Sequence, residues 1–176
     1  EADMDIKATL NNLLIPYTSN YAGTLLPGIR EYTITPGEKT TTISGKGKAG
    51  LKQEENYYFF YLPVCYKGIT GKSYAYYNTS RSKNLYLPAS VDENYSYDIQ
   101  LPENLTLCTP IQEKKIDNPI GSFKITLTSE GSSLHIELAL QIKKQLITPA
   151  EYPAFRSLIT EWTDRTRKPI LFKTVQ

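Results

Sequence analysis

Two cysteines and a single histidine are the residues with the chemistry for nucleophilic catalysis. Cys65 and Cys108 both stand among apolar or β-prone residues, and neither occupies a glycine-rich turn or helix start that would favour its thiolate. His135 lies in an alternating segment, in the phase opposite to the leucines and isoleucines, so we expect its ring to face solvent. These residues therefore do not predict a nucleophile–base pair.

Other familiar sites are equally hard to assemble from this sequence. Metal sites need clustered His, Cys or carboxylate groups, whereas Asp92-Glu93 stands apart and predicts a turn. Four further carboxylates are scattered singly along the chain: Asp98, Glu103, Glu113 and Glu137. We interpret them as solvated, although two carboxylates distant in sequence can form a hydrolase pair. We predict no catalytic, cofactor-binding or metal-binding residue, and hence a protein that is not an enzyme.

Tyrosine is the most unusual part of the composition, with 14 copies, ten of them between Tyr57 and Tyr97. Aromatic rings on a β surface can stack on sugars or form a protein interface, and they can equally pack into a core. Tyr74, Tyr76 and Tyr77 form the densest group after the strand at Tyr57, so we name them as a candidate binding surface for a glycan or peptide.

The composition excludes several classes of protein. A chain of 176 residues with 40% hydrophobic residues is a globular domain, and its net charge of +2 is too balanced for a nucleic-acid-binding protein. No apolar run approaches the roughly 18 residues that insert into a membrane. The first residues, Glu1-Ala2-Asp3, lack an initiator Met, so we expect the chain to derive from a longer one. The two cysteines are interpreted as free buried thiols, with one disulfide as the alternative.

The hydrophobic pattern predicts mostly short antiparallel strands. In the first 50 residues, Ile6, Ala8 and Leu10 alternate, and a hairpin is predicted around Pro36-Gly37. The segment from Gly45 to Gly50 is predicted to be a flexible basic loop, and it is a candidate for a domain boundary or a long hairpin connection. Residues 1–50 are therefore either a join from an upstream domain or strands of the same sandwich, and 51–176 form the main domain.

The rest of the chain carries stronger signals. The aromatic run from Tyr57 to Tyr66 predicts a central strand buried on both faces, and Leu85-Tyr86-Leu87 a short one. Alternation over 95–101, 123–127 and 134–142 predicts three further strands, the last two in a hairpin. Thr148, Pro149 and Glu151 have the spacing of a capping box, and the apolar stripe after them predicts a helix. Ile170-Leu171-Phe172 closes the chain as a strand. Together these elements predict a mainly β fold, an antiparallel β-sandwich with one C-terminal helix packed on it.

Residues from about Tyr57 to Lys173 also resemble a known domain family. The features that carry the resemblance follow in order: an aromatic strand ending in Leu62-Pro63, a Leu85–Pro88 step, the Tyr97–Pro102 strand and turn, the Gly121-Ser122-Phe123 hairpin start with its Leu134–Ile142 return, a helix beginning at Pro149–Tyr152, and Ile170–Lys173. This family is the C-terminal β-domain of unknown function that follows a transglutaminase-like cysteine-hydrolase domain in exported proteins of Gram-negative bacteria.

The resemblance implies an auxiliary role. The catalytic Cys, His and Asp of such proteins lie in the preceding domain, and no position here matches them. It implies a non-catalytic accessory domain, structural or interacting, whose partner is an upstream transglutaminase-like domain and whose location is extracytoplasmic, in the periplasm or at the cell surface. The alternative is a carbohydrate- or peptide-binding module that uses exposed tyrosines.

Overall fold

A computed structural model of the chain describes residues 1–11, 26, 28–65, 68–69 and 79–175. Thirteen strands and one helix lie within these ranges. They are β1 (Ala2–Asn11), β2 (Ile29–Pro36), β3 (Thr40–Ala49), β4 (Lys52–Glu54), β5 (Tyr57–Phe60), β6 (Leu85–Tyr86), β7 (Val91–Gln100), β8 (Leu105–Leu107), β9 (Gln112–Asn118), β10 (Gly121–Glu130), β11 (Ser133–Ile142), β12 (Leu146–Ile147), α1 (Tyr152–Arg167) and β13 (Ile170–Thr174).

The strands form one large sheet, one small sheet and a ribbon. The large sheet has seven strands in the order β2-β3-β1-β7-β11-β10-β9, and the small one has four in the order β4-β5-β13-β8. The ribbon pairs β6 with β12, and every pairing among the described strands is antiparallel. β1, β2 and β3 from the first 50 residues thus share a sheet with β7.

Alternation along the long strands separates an inner face from an outer face of the large sheet. In β1, β7 and β11, and in β10 as far as Leu127, every second residue is buried. The residues between them are wholly or partly exposed, and all of them except Ala139 are polar. The β10–β11 hairpin turns at Gly131 and Ser132, where Gly131 adopts a φ of +57° that favours glycine. The predicted hairpin is therefore confirmed, as are the strands at 95–101 and Leu85-Tyr86.

Helix α1 packs its predicted apolar stripe into the core. Tyr152, Phe155, Leu158, Ile159 and Trp162 are all buried, and the Trp162 ring lies 5.8 Å from that of Tyr95 on β7. The helix begins at Tyr152, later than the capping pattern predicted. The backbone N–H of Thr148 donates to Oε2 of Glu151 at 3.0 Å, so the reciprocal contact forms in the turn that precedes the helix.

The small sheet completes the sandwich. Phe60 of β5 stacks on Phe172 of β13 with ring centroids 5.9 Å apart, and both side chains belong to the same core cluster as the inner residues of the large sheet and of α1. An antiparallel β-sandwich with a C-terminal helix packed on it, and a closing strand after the helix, are thus confirmed. No helix among the described residues combines the length and apolar character needed to cross a membrane.

Two of the predicted elements were wrong. The glycine-rich segment at Gly45 is not a loop, because β3 runs through it to Ala49 and Gly45 pairs with Ile6. A Cβ on Gly47 would lie 2.0 Å from the carbonyl oxygen of Gly28, so these glycines permit close approach of the backbone. The aromatic run from Tyr57 is not a long strand buried on both faces, since β5 ends at Phe60 and Tyr57 is half exposed.

Candidate functional site

The three tyrosines predicted as a binding surface, Tyr74, Tyr76 and Tyr77, lie outside the residues that the structure describes. Aromatic exposure among the described residues lies elsewhere. Tyr57 and Tyr61 are 50% and 46% exposed at the start and just beyond the end of β5. The ring of Phe59 lies edge-on to that of Tyr61, at 87° and 6.2 Å between centroids, so these two rings do not form a coplanar platform for a sugar.

Cys65 and His135 lie on opposite sides of the large sheet. The backbone N–H of Cys65 donates to the hydroxyl of Tyr95, a residue of the inner face of β7. His135 pairs across strands with Asp98, which belongs to the outer face of the same strand. The sheet separates the two groups, so they cannot exchange a proton as nucleophile and base.

The cysteines differ in their surroundings. The two do not form a disulfide, and Cys65 is buried whereas Cys108 is exposed. The interpretation of Cys108 as a buried core position was therefore wrong: it follows β8, and its backbone N–H donates to the carbonyl oxygen of Leu171 on the neighbouring strand. Cys65 is buried as predicted, but in the irregular segment after β5 and not in a strand.

His135 is held between two carboxylates on the outer face. Its Nδ1 lies 2.7 Å from Oδ1 of Asp98, and its Nε2 lies 2.9 Å from Oε1 of Glu137. The hydrogen bond to Asp98 raises the pKa of His135 above its ordinary value, and the charge of Glu137 adds to this. An imidazole with both nitrogens engaged is poorly placed to accept a substrate proton. We therefore interpret the trio as two ion pairs of His135, one across strands with Asp98 and one along β11 with Glu137. The prediction that His135 lies on the solvent side of its strand is confirmed.

Acidic groups extend from this trio across the sheet. Asp5 stands directly opposite Asp98 on β1, and a shallow cavity of about 360 Å³ is lined by Asp3, Asp5, Asp98 and His135. Within the part of the chain that the structure describes, no group of three or more His, Cys, Asp or Glu side chains is arranged to hold a metal ion. The cavity is a shallow hollow with acidic side chains in its wall.

Glu93 is an ionisable side chain with a perturbed pKa, and it is buried on the inner face of β7. Sequence reasoning placed Asp92-Glu93 in a turn, and this prediction was wrong, because both residues belong to β7 and Glu93 is 1% exposed. A signal was available: Glu93 falls in phase with the inward residues Val91, Tyr95 and Tyr97 of the same strand.

Two donors meet the carboxylate of Glu93. The backbone N–H of Ile69 donates to Oε1 at 2.5 Å, and the hydroxyl of Tyr95 donates to Oε2 at 3.1 Å. Burial raises the pKa of Glu93 to about 7, and these two hydrogen bonds oppose the rise without cancelling it. Burial also raises the pKa of Tyr95 well above its ordinary value, so its hydroxyl keeps its proton.

The same strand anchors the irregular segment that follows β5. The hydroxyl of Tyr97 donates to the carbonyl oxygen of Pro63 at 2.7 Å, and the hydroxyl of Tyr95 accepts from the N–H of Cys65 at 2.9 Å. With the Ile69–Glu93 bond, three side chains of β7 bind backbone groups between residues 63 and 69. Among the described residues, the bonds of the Glu93 carboxyl are with a backbone N–H and a tyrosine hydroxyl, which indicates that it positions the chain. We refer to Glu93, Tyr95 and Tyr97 as the β7 anchor.

Comparison with known proteins places residues 56–172 in a family. A model of the domain of unknown function DUF3858, described as having a solved structure, matches residues 56–172. The crystal structure of a candidate protease from Parabacteroides distasonis is similar, with a TM-score of 0.62 and 32% sequence identity over 68% of this chain. The chain spans about a quarter of that protein, 24% of its length. No curated protein sequence matches the chain.

Proposed function

From the premise that this chain belongs to the DUF3858 family of domains of unknown function, we propose that it is a non-catalytic accessory domain of a larger, exported transglutaminase-like protein. The observation that carries the proposal is the ratio of lengths: 68% of this chain matches only 24% of a longer protein described as a candidate protease. Most of that longer chain is therefore available for chemistry outside the matching domain.

The described side chains support a structural role. The thiol of Cys65 and the imidazole of His135 are separated by a sheet. The buried carboxyl of Glu93 accepts a hydrogen bond from the backbone N–H of Ile69. A sandwich of this kind is a rigid body that can support, orient or shield a neighbouring domain. We propose that this neighbour is an upstream transglutaminase-like domain, which would supply its own Cys, His and Asp.

The sequence of the native precursor upstream of Glu1 is the first test. A transglutaminase-like domain with its own Cys, His and Asp there would agree with the proposal, and a different kind of domain would contradict it. Export is tested in the native host by cell fractionation. When the outer layer of the cells has been opened, added protease should digest the domain. Retention in the cytoplasmic fraction would contradict an extracytoplasmic location.

Activity provides the second test. The longer protein should hydrolyse fluorescein-labelled casein, whereas this chain alone should not. Replacement of the catalytic cysteine of the upstream domain by serine should abolish the hydrolysis. As a matched control, Cys108→Ser in the longer protein should leave the rate unchanged, because this exposed thiol has no part in the proposed reaction. Hydrolysis by this chain alone would overturn the non-catalytic assignment.

A second candidate function is a peptide- or carbohydrate-binding module that uses exposed tyrosines. The half-exposed rings of Tyr57 and Tyr61 favour it, and the edge-on geometry of Phe59 and Tyr61 favours a peptide over a sugar. Saturable quenching of tyrosine fluorescence by a peptide or glycan, lost in Tyr57→Ala and Tyr61→Ala and retained in Tyr32→Ala on β2, would support it. Equal quenching in all three variants would reject this surface.

A further inference from the structure

A groove of about 510 Å³ separates the first half of α1 from the edge strand β9 and from the segment at Arg81. Arg81 and Arg156 line it together with Ile116, Tyr152 and two prolines of the helix start, Pro149 and Pro153. Its volume falls in the range of about 300–1,000 Å³ that is usual for ligand pockets. The groove thus combines two guanidinium groups with apolar walls, which is the composition of a site for an amphipathic anion.

Arg81 has a guanidinium nitrogen that lacks a hydrogen-bond partner in the described structure. Its guanidinium carbon lies 5.8 Å from the ring centroid of Tyr152, a cation–π contact that fixes the side chain against α1. The Nη1 atom is buried and has no hydrogen-bond partner among the described residues. A buried guanidinium nitrogen without a hydrogen-bond partner is unfavourable, so a rotation of Arg81 that brings this nitrogen to an anion in the groove would remove the deficit.

The charge balance of the groove is positive. Glu161 is its one acidic wall residue among those described, and Oε1 of Glu161 is already 2.6 Å from Nζ of Lys114, with Arg165 at 3.9 Å from the other oxygen. Arg156 is exposed and forms no ion pair within the described part of the chain. Two guanidinium groups are therefore available to a ligand, and guanidinium groups bind carboxylates in a bidentate manner.

The neighbouring strand favours a peptide. β9 is the last strand of the large sheet in the strand order, and β10 is its one partner among the described strands. Its other edge can therefore offer backbone hydrogen bonds to an extended chain. We propose that this groove binds an acidic peptide, with the carboxylate of an Asp or Glu side chain between Arg81 and Arg156 and an apolar neighbour against Ile116 and Tyr152. This site is independent of the accessory role and would exist in the isolated chain.

The test uses this chain with N-acetyl-Leu-Glu-amide, titrated to about 10 mM by NMR, a range that detects a Kd of about 1 mM or tighter. We expect saturable shifts at Tyr152 and Arg156. Arg81→Gln and Arg156→Gln should each weaken binding about tenfold, because each removes a charge-assisted hydrogen bond. Arg156 is exposed, so its variant keeps the test valid even where Arg81→Gln unfolds.

Controls define the outcomes that would overturn the proposal. Arg30→Gln removes an equal charge from β2, at the opposite edge of the sheet, and should bind like the unchanged chain. N-acetyl-Leu-Gln-amide should not bind. Equal binding of the glutamine peptide, equal loss in Arg30→Gln, or no binding at all would each overturn the assignment. Tighter binding of inorganic phosphate or glucuronate than of the peptide would overturn the choice of a peptide.

Discussion

The hydroxyl of Tyr95 donates to Oε2 of Glu93 at 3.1 Å while it accepts from the backbone N–H of Cys65 at 2.9 Å. One side-chain oxygen therefore joins a buried carboxyl to the segment after β5. We expect Tyr95→Phe to lower the free energy of unfolding by about 1–3 kcal/mol, because it leaves a buried donor and a buried carboxyl each short of one bond. Urea denaturation followed by circular dichroism measures this.

A matched control for that variant is Tyr86→Phe. Tyr86 is 72% exposed, so loss of its hydroxyl should change the stability by less than about 0.5 kcal/mol. Equal stability of the two variants would show that the Tyr95 hydroxyl contributes nothing to anchoring the segment.

Glu93 should make the stability of the domain depend on pH. Its pKa is raised from 4.5 to about 7 in the folded protein, so the folded state holds this proton more tightly than the unfolded state does. The contribution of Glu93 is therefore most favourable below pH 4.5, declines as the pH rises towards 7, and is flat above that. The full decline is on the order of 3 kcal/mol.

Glu93→Gln should remove this decline. The free energy of unfolding of the variant, minus that of the unchanged chain, should therefore be larger at pH 8 than at pH 4.5. Urea titrations at the two pH values measure it, and Glu103→Gln, at an exposed turn, controls for the loss of one negative charge. A difference between Glu93→Gln and the unchanged chain that stays constant with pH would contradict the raised pKa.

Gly68 passes directly over the same carboxyl. A Cβ at this position would lie 2.6 Å from Oε2 and 2.7 Å from Oε1 of Glu93, and 3.0 Å from the carbonyl oxygen of Cys65. The bond with the N–H of Ile69 opposes a shift of the carboxyl away from this Cβ. We expect Gly68→Ala to cost about 1–3 kcal/mol in thermal or urea denaturation. Gly50→Ala is the control, since a Cβ there meets no atom within 4 Å.

A double variant separates this clash from a general effect of alanine. In a background of Glu93→Ala the carboxyl is gone, and Gly68→Ala should then cost markedly less. An unchanged cost in that background would place the strain of the alanine elsewhere than at Glu93.

Sequence reasoning succeeded where one hydrophobic period governs an element. β10, β11 and α1 each bury one face, so alternation or the 3.6-residue period predicts both the element and its inward side chains. Sequence reasoning failed at Gly45 because glycines usually mark turns. Here the missing side chain of Gly45 allows the backbone of β2 to approach β3 closely. That reason is a tertiary contact, which a single sequence does not display.

The candidate site was harder to predict than the fold. The aromatic run at Tyr57 has high β propensity, yet the backbone of Pro63 and Cys65 bonds to tyrosine hydroxyls and not to a neighbouring strand. Glu93 was predicted to lie in a turn because charged residues are seldom buried, although its phase with Val91 and Tyr95 was visible. The pairing of His135 with Asp98 depends on the register of β7 and β11, which follows only from the sheet order.

The thiols offer a direct check on the packing of the segment after β5. Cys108 is exposed and should react rapidly with Ellman's reagent in the folded protein. The buried Cys65 should react only when the protein unfolds. Cys108→Ser should abolish the fast phase and leave the slow one. Two fast thiols would contradict the burial of Cys65, and no reactive thiol under native conditions would contradict the exposure of Cys108.

His135 provides the last prediction, and its imidazole resonances are unambiguous because the chain has one histidine. Its pKa should lie above 6.5, and Asp98→Asn should lower it more than Glu137→Gln does, since the hydrogen bond with Asp98 is the largest cause of the rise. NMR titration measures both shifts, with Asp117→Asn on β9 as the control for a lost charge on the large sheet.

Because a histidine with a raised pKa stabilises the fold in its protonated form, the contribution of His135 to stability is complete below about pH 6.5 and disappears as the pH rises through the folded value. Asp98→Asn should therefore destabilise the domain more at pH 5 than at pH 9, and an equal effect at both would show that Asp98 acts on the sheet without the charge of His135.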